Sequence, residues 1–421
     1  MKKIIVIVDA YSTGKFLPFA FLSYGYPCIH VVTHKTLPPS RIKKFASENK
    51  NFIETISLNS ESTEEIESVV QHLKQYDIKA VLPGSEPGVI IADMISQYLD
   101  IPKNNISFSL ARRHKYHMIN ALAKAGLPTQ QQTLTHQWAD LLEWYEKNKL
   151  KKVVLKATMS SGGDHVYICD DLDEVKKYFQ IILKGNNNYG AANLEVVAQE
   201  YIEGTQYIVN TVSLSGKHFV TDIWQECGSE KKDLLHDDYA ELLNRDSETY
   251  SVLTHFANQV LATLEIQHGA AHHEIRLSPK GPRLIEVGAR LAGNIDPSAV
   301  TEAIGHNHVS VTVEAIIDPA SFERRANTNL KNRKYARYIY LCSEIEGEIK
   351  KKPVLDAFYQ LPSLHSMNFV FEQGDILPRS DCANFRPGRA YLISDSFEQL
   401  EKDYREFRRL EKIFYNELLC H

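Results

Sequence analysis

HHEIRLSPKGPRLIEVGAR, residues 272–290, reads as strand, turn, strand. His273, Ile275 and Leu277 alternate with Glu274 and Arg276, the period of two expected of a half-buried strand. Ser278-Pro279-Lys280-Gly281-Pro282 carries the turn formers, and Leu284 and Ile285 then lead into Glu286. A hairpin of this length can bring Glu274 and Glu286, twelve residues apart, onto one face. Two facing carboxylates repel, so a cation belongs between them. Hard oxygen ligands suit Mg2+, which takes one or two carboxylates and completes its shell with phosphate oxygens. Arg290 follows four residues after Glu286 and can face the same phosphate. Two unrelated surface acids on a solvated hairpin are the bland alternative, and this stretch alone does not separate the two.

Composition narrows the class. The chain has 421 residues, 43% hydrophobic and 24% charged, which is ordinary for a soluble enzyme of two to four domains. A net charge of -5 argues against coating nucleic acid. The pair Lys43-Lys44 and the run Lys350-Lys351-Lys352 are short and read as solvated faces. The six cysteines, at 28, 169, 227, 342, 382 and 420, form no CxxC, so no zinc ribbon or thioredoxin-type motif is indicated. The apolar run Ile4 to Val8 is too short for a signal-peptide core, and no stretch is long enough to span a bilayer. A cytoplasmic protein is expected.

Upstream, KKIIVIVDA reads as a buried parallel strand ending at Asp9. Tyr11 to Gly14 turn the chain, Lys15 to Tyr24 look helical, and Cys28 to His34 form a second strand. Glu64 to Gln75 is an amphipathic helix with Ile66, Val69, Val70 and Leu73 on one face. KAVLPGSEPG, residues 79–88, is strand then loop, and a helix runs on to Leu99. This alternation predicts a doubly wound parallel sheet over roughly the first 105 residues. Its ligand edge, beyond the carboxyl ends of the strands, holds Asp9, Tyr11, Ser85 and Glu86. No GxGxxG follows the first strand.

Residues 108–125 read as a basic helix with Arg112, Arg113, Lys115 and Lys124, stopped by Gly126 and Pro128. Helices are expected over Trp138–Asn148, Asp173–Leu183 and Ser247–Leu264, and in VSVTVEAIID near residue 310. Lys184 to Asn193 reads as a mobile loop, and residues 225–246 as a flexible segment. Three strands are expected between Val196 and Trp224. Short strands recur from Tyr335, and a charged helix over Ser396–Leu410 ends the pattern.

Two further pieces fit phosphate and nucleotide chemistry. VVLKATMSSGGDHV, residues 153–166, joins Lys156 at a strand end to a Ser-Ser-Gly-Gly loop. Glycines let backbone N–H groups approach an anion, and Lys156 would meet a phosphate as a point charge. A plain hairpin turn is the alternative. AQEYIEGTQY, residues 198–207, runs a strand into a Glu-Gly turn that can offer backbone groups to an adenine edge. The histidines His268, His272 and His273 beside Glu274 invite a transition-metal reading, but no HExxH is present and neighbouring strand residues point to opposite faces. No GxSxG nucleophile elbow occurs.

The order of the pieces, RRHKYHMINALAKAGLPT, then VVLKATMSSGGDHV, then AQEYIEG, then HHEIRLSPKGPRLIEVGARLAG, resembles the ATP-grasp superfamily. The likeness is to stand-alone carboxylate–amine ligases of the L-amino-acid ligase (dipeptide synthetase) type, over about residues 1–320 and more loosely to the end. It implies an α/β ATP-grasp fold with an N-terminal doubly wound parallel-sheet domain. The implied segments are an N-terminal domain over 1–110, connecting helices over 111–135, a small lid over 136–203, and a large ATP-grasp and C-terminal part over 204–421.

By that resemblance Lys115 and Lys156 contact ATP phosphates, and Ser160, Ser161, Gly162 and Gly163 form a flexible loop over them. Glu200 and Ile202 border the adenine, Glu274 and Glu286 hold Mg2+ (with Mn2+ as the alternative), and Arg290 neutralises the acyl phosphate. Glu86, with Ser85 beside it, holds a substrate ammonium; Asp375 is a candidate for a cationic substrate side chain such as that of arginine, against a plain turn role. The chain departs from the family pattern at two positions. Gln206 stands where many members have a glutamate for the ribose, and Gly288 where many have a metal-binding asparagine; the VGAR form favours the amino-acid ligase branch.

The implied activity is ATP-dependent amide formation between two amino acids, through an acyl phosphate, releasing ADP and phosphate. Its partners are ATP and amino acids, with no nucleic acid and no membrane, and the family's habit is a homodimer through the first domain. A ligase using a non-amino-acid carboxylate or amine, and a non-catalytic nucleotide-binding module, are the rivals. A biotin-dependent carboxylase is disfavoured because no biotinyl tether is seen.

Overall fold

The computed structural model describes residues 2–33, 51–231, 234–293, 295–380 and 386–419. His34 at the end of the second expected strand, the pair Lys43-Lys44, Cys382 and Cys420 lie outside the described residues. The chain divides into two compact units. The first contains Met1–Asp222, Ser251–Ile295 and His308–Asn329; the second contains Ile223–Tyr250, Asp296–Asn307 and Leu330–His421.

The first unit opens with the parallel sheet that the alternating pattern predicts. Its strands are β1 (Lys3–Val8), β2 (Cys28–Val32), β3 (Phe52–Ser57) and β4 (Asp77–Pro83), in the order β3-β2-β1-β4. All three pairings are parallel. Ile4, Val6 and Val8 of β1 pack with Ile66, Val69, Val70 and Leu73 of α2 (Thr63–Leu73) and with Ile91 and Ile95 of α3 (Gly88–Leu99). Ile5 and Ile7 face the other way, against Leu17 and Phe21 of α1 (Leu17–Leu22). A strand buried on both faces has no polar positions, which is why β1 reads as a continuous apolar run.

The expected helix over 108–125 is shorter. Residues 109–113 form turns, and α4 runs over Lys115–Lys124. Arg112 and Arg113 are not a solvated basic face. Arg112 is fully buried, donating to Asp93 at 2.7 Å and to the Leu264 carbonyl at 2.9 Å. Arg113 is paired with Glu86. Buried ion pairs to distant residues hold this stretch out of the helix.

A small antiparallel sheet follows: β5 (Gln132–Thr135), β6 (Val153–Ala157), β7 (Val166–Cys169) and β8 (Val196–Glu200), in the order β5-β8-β6-β7. Leu141 of α5 (Trp138–Asn148) and Val175, Phe179 and Ile182 of α6 (Leu172–Lys184) cover one face. The central sheet of this unit runs in the order β13-β12-β9-β10, built from β9 (Thr205–Leu214), β10 (Lys217–Lys231), β12 (Gly269–Ser278) and β13 (Gly281–Gly288). Helices α7 (Glu248–Thr263), α9 (His308–Ile317) and α10 (Pro319–Ala326) complete it.

In the second unit the expected flexible segment at 225–246 is instead the end of β10 paired with β11 (Leu234–Leu242). Its polarity is explained by cross-strand partners. Glu241 pairs with Arg337 of β14 (Tyr335–Leu341), and Glu226 accepts from the Tyr340 hydroxyl at 2.7 Å. The unit continues through α8 (Pro297–Ile304), β15 (Gly347–Glu348), β16 (Leu364–Phe369), β17 (Ile376–Leu377) and β18 (Gly388–Ser394). The last helix, α11 (Phe397–Leu419), outruns its expected end, because Phe414, Tyr415 and Leu418 continue the buried face past residue 410.

Candidate active site

β12 and β13 form the expected hairpin, and Glu274 lies directly opposite Glu286. Such cross-strand pairs place Cβ atoms about 4.5–5.5 Å apart. On its other side β12 pairs with β9, Glu274 facing Ile208, so the carboxylates stand on a sheet supported from behind. Glu274 keeps 37% of its side chain open to the cleft. Even so, the surrounding protein and then the facing Glu286 push its carboxyl up to about 7.

Two lysines answer this charge. Lys115, the first residue of α4, brings Nζ to 3.1 Å from Glu286 Oε2 and donates to the Ser160 carbonyl at 2.8 Å. Lys156, near the end of β6, is also buried. Burial, then the Lys115 charge, lower its ammonium to about 8, with Glu286 and Glu274 pulling the other way. Lysines and carboxylates therefore share one electrostatic site, as the sequence order suggests.

The Ser-Ser-Gly-Gly loop sits over Lys115. Gly162 (φ 70°) and Gly163 (φ 75°) both take left-handed backbone, which glycine adopts without strain. Ser160 Oγ donates to Asp164 at 2.6 Å. The segment expected to be mobile, residues 184–193, is held against this loop. Asn187 donates to the Met159 carbonyl at 2.9 Å, Asn188 to the Ser161 carbonyl at 2.8 Å, and the Tyr189 hydroxyl pairs with Ser161 Oγ. Asparagine-rich polarity here marks side-chain bonding to backbone rather than solvation.

Beyond the hairpin Arg290 meets the ligand edge of the parallel sheet. Glu86 is buried, with Oε1 accepting from Arg113 Nη1 at 2.6 Å and Oε2 2.7 Å from Arg290 Nε. Burial opposes its charge, but Arg290 and Arg113 outweigh burial and hold the carboxyl below its ordinary range. The second contact is an ion contact rather than an aligned hydrogen bond. Glu86 does not cap α3. Ser85 Oγ beside it is buried without a hydrogen-bond partner, a group a bound ligand can satisfy. Asp9, on the same edge, accepts from the Thr33 backbone N–H at 2.9 Å.

Gly288 owes its identity to this pair. A Cβ there would lie 2.6 Å from Glu86 Oε2 and 2.9 Å from Arg290 Cζ. The space an asparagine side chain needs is thus filled by the Glu86–Arg290 contact.

At the end of β8, Glu200 accepts from the Gln131 backbone N–H at 3.2 Å, and Ile202 just beyond it is buried. Arg276, which the sequence reading passed over, organises this stretch. It donates to the Ile202 carbonyl at 2.8 Å and to Gln206 Oε1 at 3.3 Å, and lies over the Tyr201 ring at 4.9 Å. Gln206 is therefore occupied by a neighbour. Among the described residues no group of three or more His, Cys, Asp and Glu is placed to hold a metal. The histidines diverge: His272 Nδ1 meets Asn210 Oδ1 at 2.9 Å, while His273 Nδ1 meets the Val209 carbonyl at 2.9 Å. Asp375 belongs to the second unit, where its carboxylate accepts from the Glu372 N–H at 2.7 Å and closes a turn. Arg113, Tyr189 and Arg276 were missed because their partners are distant in sequence; a basic pair next to Lys115 and an arginine beside Glu274 were the only signals available.

Residues 150–298 match the model of the ATP-grasp domain. Dapdiamide A synthase of Enterobacter agglomerans is 33% identical over 418 residues, covering 99% of this chain and 97% of that protein. The L-arginine-specific L-amino acid ligase of Bacillus subtilis is 17% identical, covering 79% of each chain. Among solved structures, the L-amino acid ligase of Bacillus licheniformis superposes with a TM-score of 0.76 at 21% identity, covering 97% of both chains. Among the described residues no helix is long and apolar enough to cross a membrane. The end-to-end likeness to dapdiamide A synthase settles the family that the paired carboxylates had indicated: the chain belongs to the ATP-grasp carboxylate–amine ligases and is an ATP-dependent enzyme that forms amide bonds.

Proposed function

We propose that the protein joins two amino acids into a dipeptide on the surface framed by Lys115, Lys156, Glu274, Glu286 and Arg290. The observation that carries this reading is the direct pairing of Glu274 with Glu286 beneath Lys115, which also holds the Ser160 carbonyl. Lys115 and Lys156 bind ATP phosphates, and Ser160, Ser161, Gly162 and Gly163 cover them. Glu200 and Ile202 border the adenine; Gln206, engaged by Arg276, is a weaker candidate for the ribose.

Mg2+ fits the paired carboxylates: burial and then the facing Glu286 raise the Glu274 carboxyl, and a cation would offset both. When bound between Glu274 and Glu286, it compensates triphosphate charge; Mn2+ suits the same oxygen set. The carboxylate oxygen of the first amino acid attacks the γ-phosphorus and ADP leaves with the electron pair. The amine of the second then attacks the acyl carbon, phosphate leaves, and the nitrogen gives up a proton. Arg290 stabilises the charge that develops on the acyl oxygens. Glu86 keeps Arg290 and Arg113 in place, and its remaining lone pairs, with Ser85 Oγ, accept the substrate ammonium. Asp375, which also closes a turn through the Glu372 N–H, is the candidate partner for the side chain of a cationic first amino acid. Segments 1–110, 111–135, 136–203 and 204–421 serve as ammonium-binding domain, connector, lid and metal-bearing core.

Incubation with ATP, Mg2+ and single amino acids in the presence of hydroxylamine tests the reading. The correct carboxylate gives a hydroxamate and ADP, and Arg290→Ala loses hydroxamate while retaining ATP binding. Release of AMP instead of ADP would contradict the acyl-phosphate route. ADP formed with a non-amino-acid carboxylate or amine alone would favour the wider ligase class.

A further inference from the structure

The loop of residues 186–192 is closed on itself. Asn186 bridges Ala192, and Asn187 Oδ1 accepts from the backbone N–H of Tyr189 at 3.0 Å and of Ala191 at 3.1 Å. The turn presents Tyr189 toward the phosphate-covering loop. There its hydroxyl pairs with Ser161 Oγ, while Asn188 N–H donates to Asp164 at 2.9 Å. The other side of Tyr189 faces the carboxylate site, its ring centroid 5.9 Å from the Arg113 guanidinium. Arg113 in turn holds Glu86, which holds Arg290. Burial, then the Glu86 charge, raise the phenol above its ordinary range, so it stays a neutral hydroxyl. One side chain thus touches both a group that covers phosphate and a group that belongs to the arginine pair.

We propose that Tyr189 is a positioning residue that ties the Ser160–Gly163 loop to the Arg113–Glu86–Arg290 set, so that the cover over the phosphates and the wall of the carboxylate site close as one. This rests on the ligase reading above. An acyl phosphate left open to water hydrolyses: water adds to the acyl carbon and phosphate leaves, or adds to the phosphorus and the carboxylate leaves, and either way ATP is consumed with no amide made. Closing both sides together excludes that water while the amine arrives.

Tyr189→Phe keeps the ring over Arg113 and removes only the hydroxyl that reaches Ser161. With both amino acids present, the ADP released per amide formed should rise roughly three- to tenfold, the range expected for one lost hydrogen bond. Ser161→Ala should raise the ratio similarly, and the double variant no further, because both changes cut one contact. Thermal unfolding is measured alongside. A wild-type ratio in Tyr189→Phe, or ADP and amide falling together with a lowered Tm, would show a merely structural tyrosine and overturn the proposal. Wild-type protein that makes no amide from any amino-acid pair would instead overturn the ligase reading, and this proposal with it.

Discussion

At the scale of single residues, Gly288 is the position where absence of a side chain has a definite cause. Here Glu86 and Arg290 meet over the bare Cα. The two features are one arrangement, because a Cβ 2.6 Å from Glu86 Oε2 must displace the carboxylate or the strand. Gly288→Ala should therefore shift Arg290. A displacement of even about 1 Å in a group that acts on developing charge costs on the order of 100-fold in rate. We expect kcat to fall at least tenfold by that reasoning, with the KM for ATP changed less than about twofold, in a steady-state ADP assay. Wild-type kcat in a folded Gly288→Ala protein would show that the Glu86–Arg290 contact does not position catalysis.

At the scale of elements, Arg276 supports the short connection where β8 ends and β9 begins. The Ile202 carbonyl there takes its hydrogen bond from Arg276 of β12. Leaving a buried carbonyl unpaired costs about 1–3 kcal/mol, so Arg276→Met should lower stability by that order and raise the KM for ATP. Denaturant unfolding and ATP kinetics measure the two effects. Lost stability with unchanged ATP kinetics would confine Arg276 to a structural role. The loop of residues 186–192 belongs to this scale too. Its run of asparagines reads as mobility in sequence, yet in the fold the Asn187 and Asn188 side chains bond backbone groups of their own turn, of Met159 and of Ser161.

At the scale of the whole molecule, metal, protons and stability are linked. The Glu274 carboxyl is raised from 4.5 to about 7 by burial and by Glu286. Between those pH values the folded chain holds a proton that the unfolded chain has released. Glu274 therefore contributes a loss of stability as pH rises from about 4.5 to about 7, while the buried histidines contribute the opposite, because the unfolded chain protonates them there and the folded chain does not. A Mg2+ ion held by Glu274 and Glu286 would require the carboxylate without that proton, so its binding would add most stability above the window. His273 and His308, held near 4 by burial, stay neutral over most of it, and His272 lies well below its ordinary value. The rise in Tm caused by Mg2+ and ATP should be larger at about pH 8 than at about pH 5.5. Glu274→Gln should flatten the difference. An equal Mg2+-dependent rise at both pH values would mean that Glu274 does not exchange a proton for the metal.

The local pattern of residues determined the elements that carry this chemistry. Continuous β-branched runs determined the parallel sheet, because strands covered on both faces tolerate no polar positions. Alternation interrupted by Ser-Pro-Lys-Gly-Pro determined the hairpin, whereas a shift of register between Glu274 and Ile275, with Ile285 the extra residue, is what puts Glu274 opposite Glu286. Lys115, Lys156 and the Ser-Ser-Gly-Gly loop were legible for the same reason: each is a short, self-contained signal at an element's end. Only the tertiary structure decided the roles of Arg112, Arg113 and Tyr189, whose links to Asp93, Glu86 and Ser161 span 19, 27 and 28 residues. Only it showed that Glu226 and Glu241 belong to paired strands, and that Gly288 is bare because a carboxylate and a guanidinium meet above it. The physical reason is that hydrophobic period is a local property, written in neighbouring residues. A buried charge is stable only beside its counter-charge, and that neighbour is chosen by the fold.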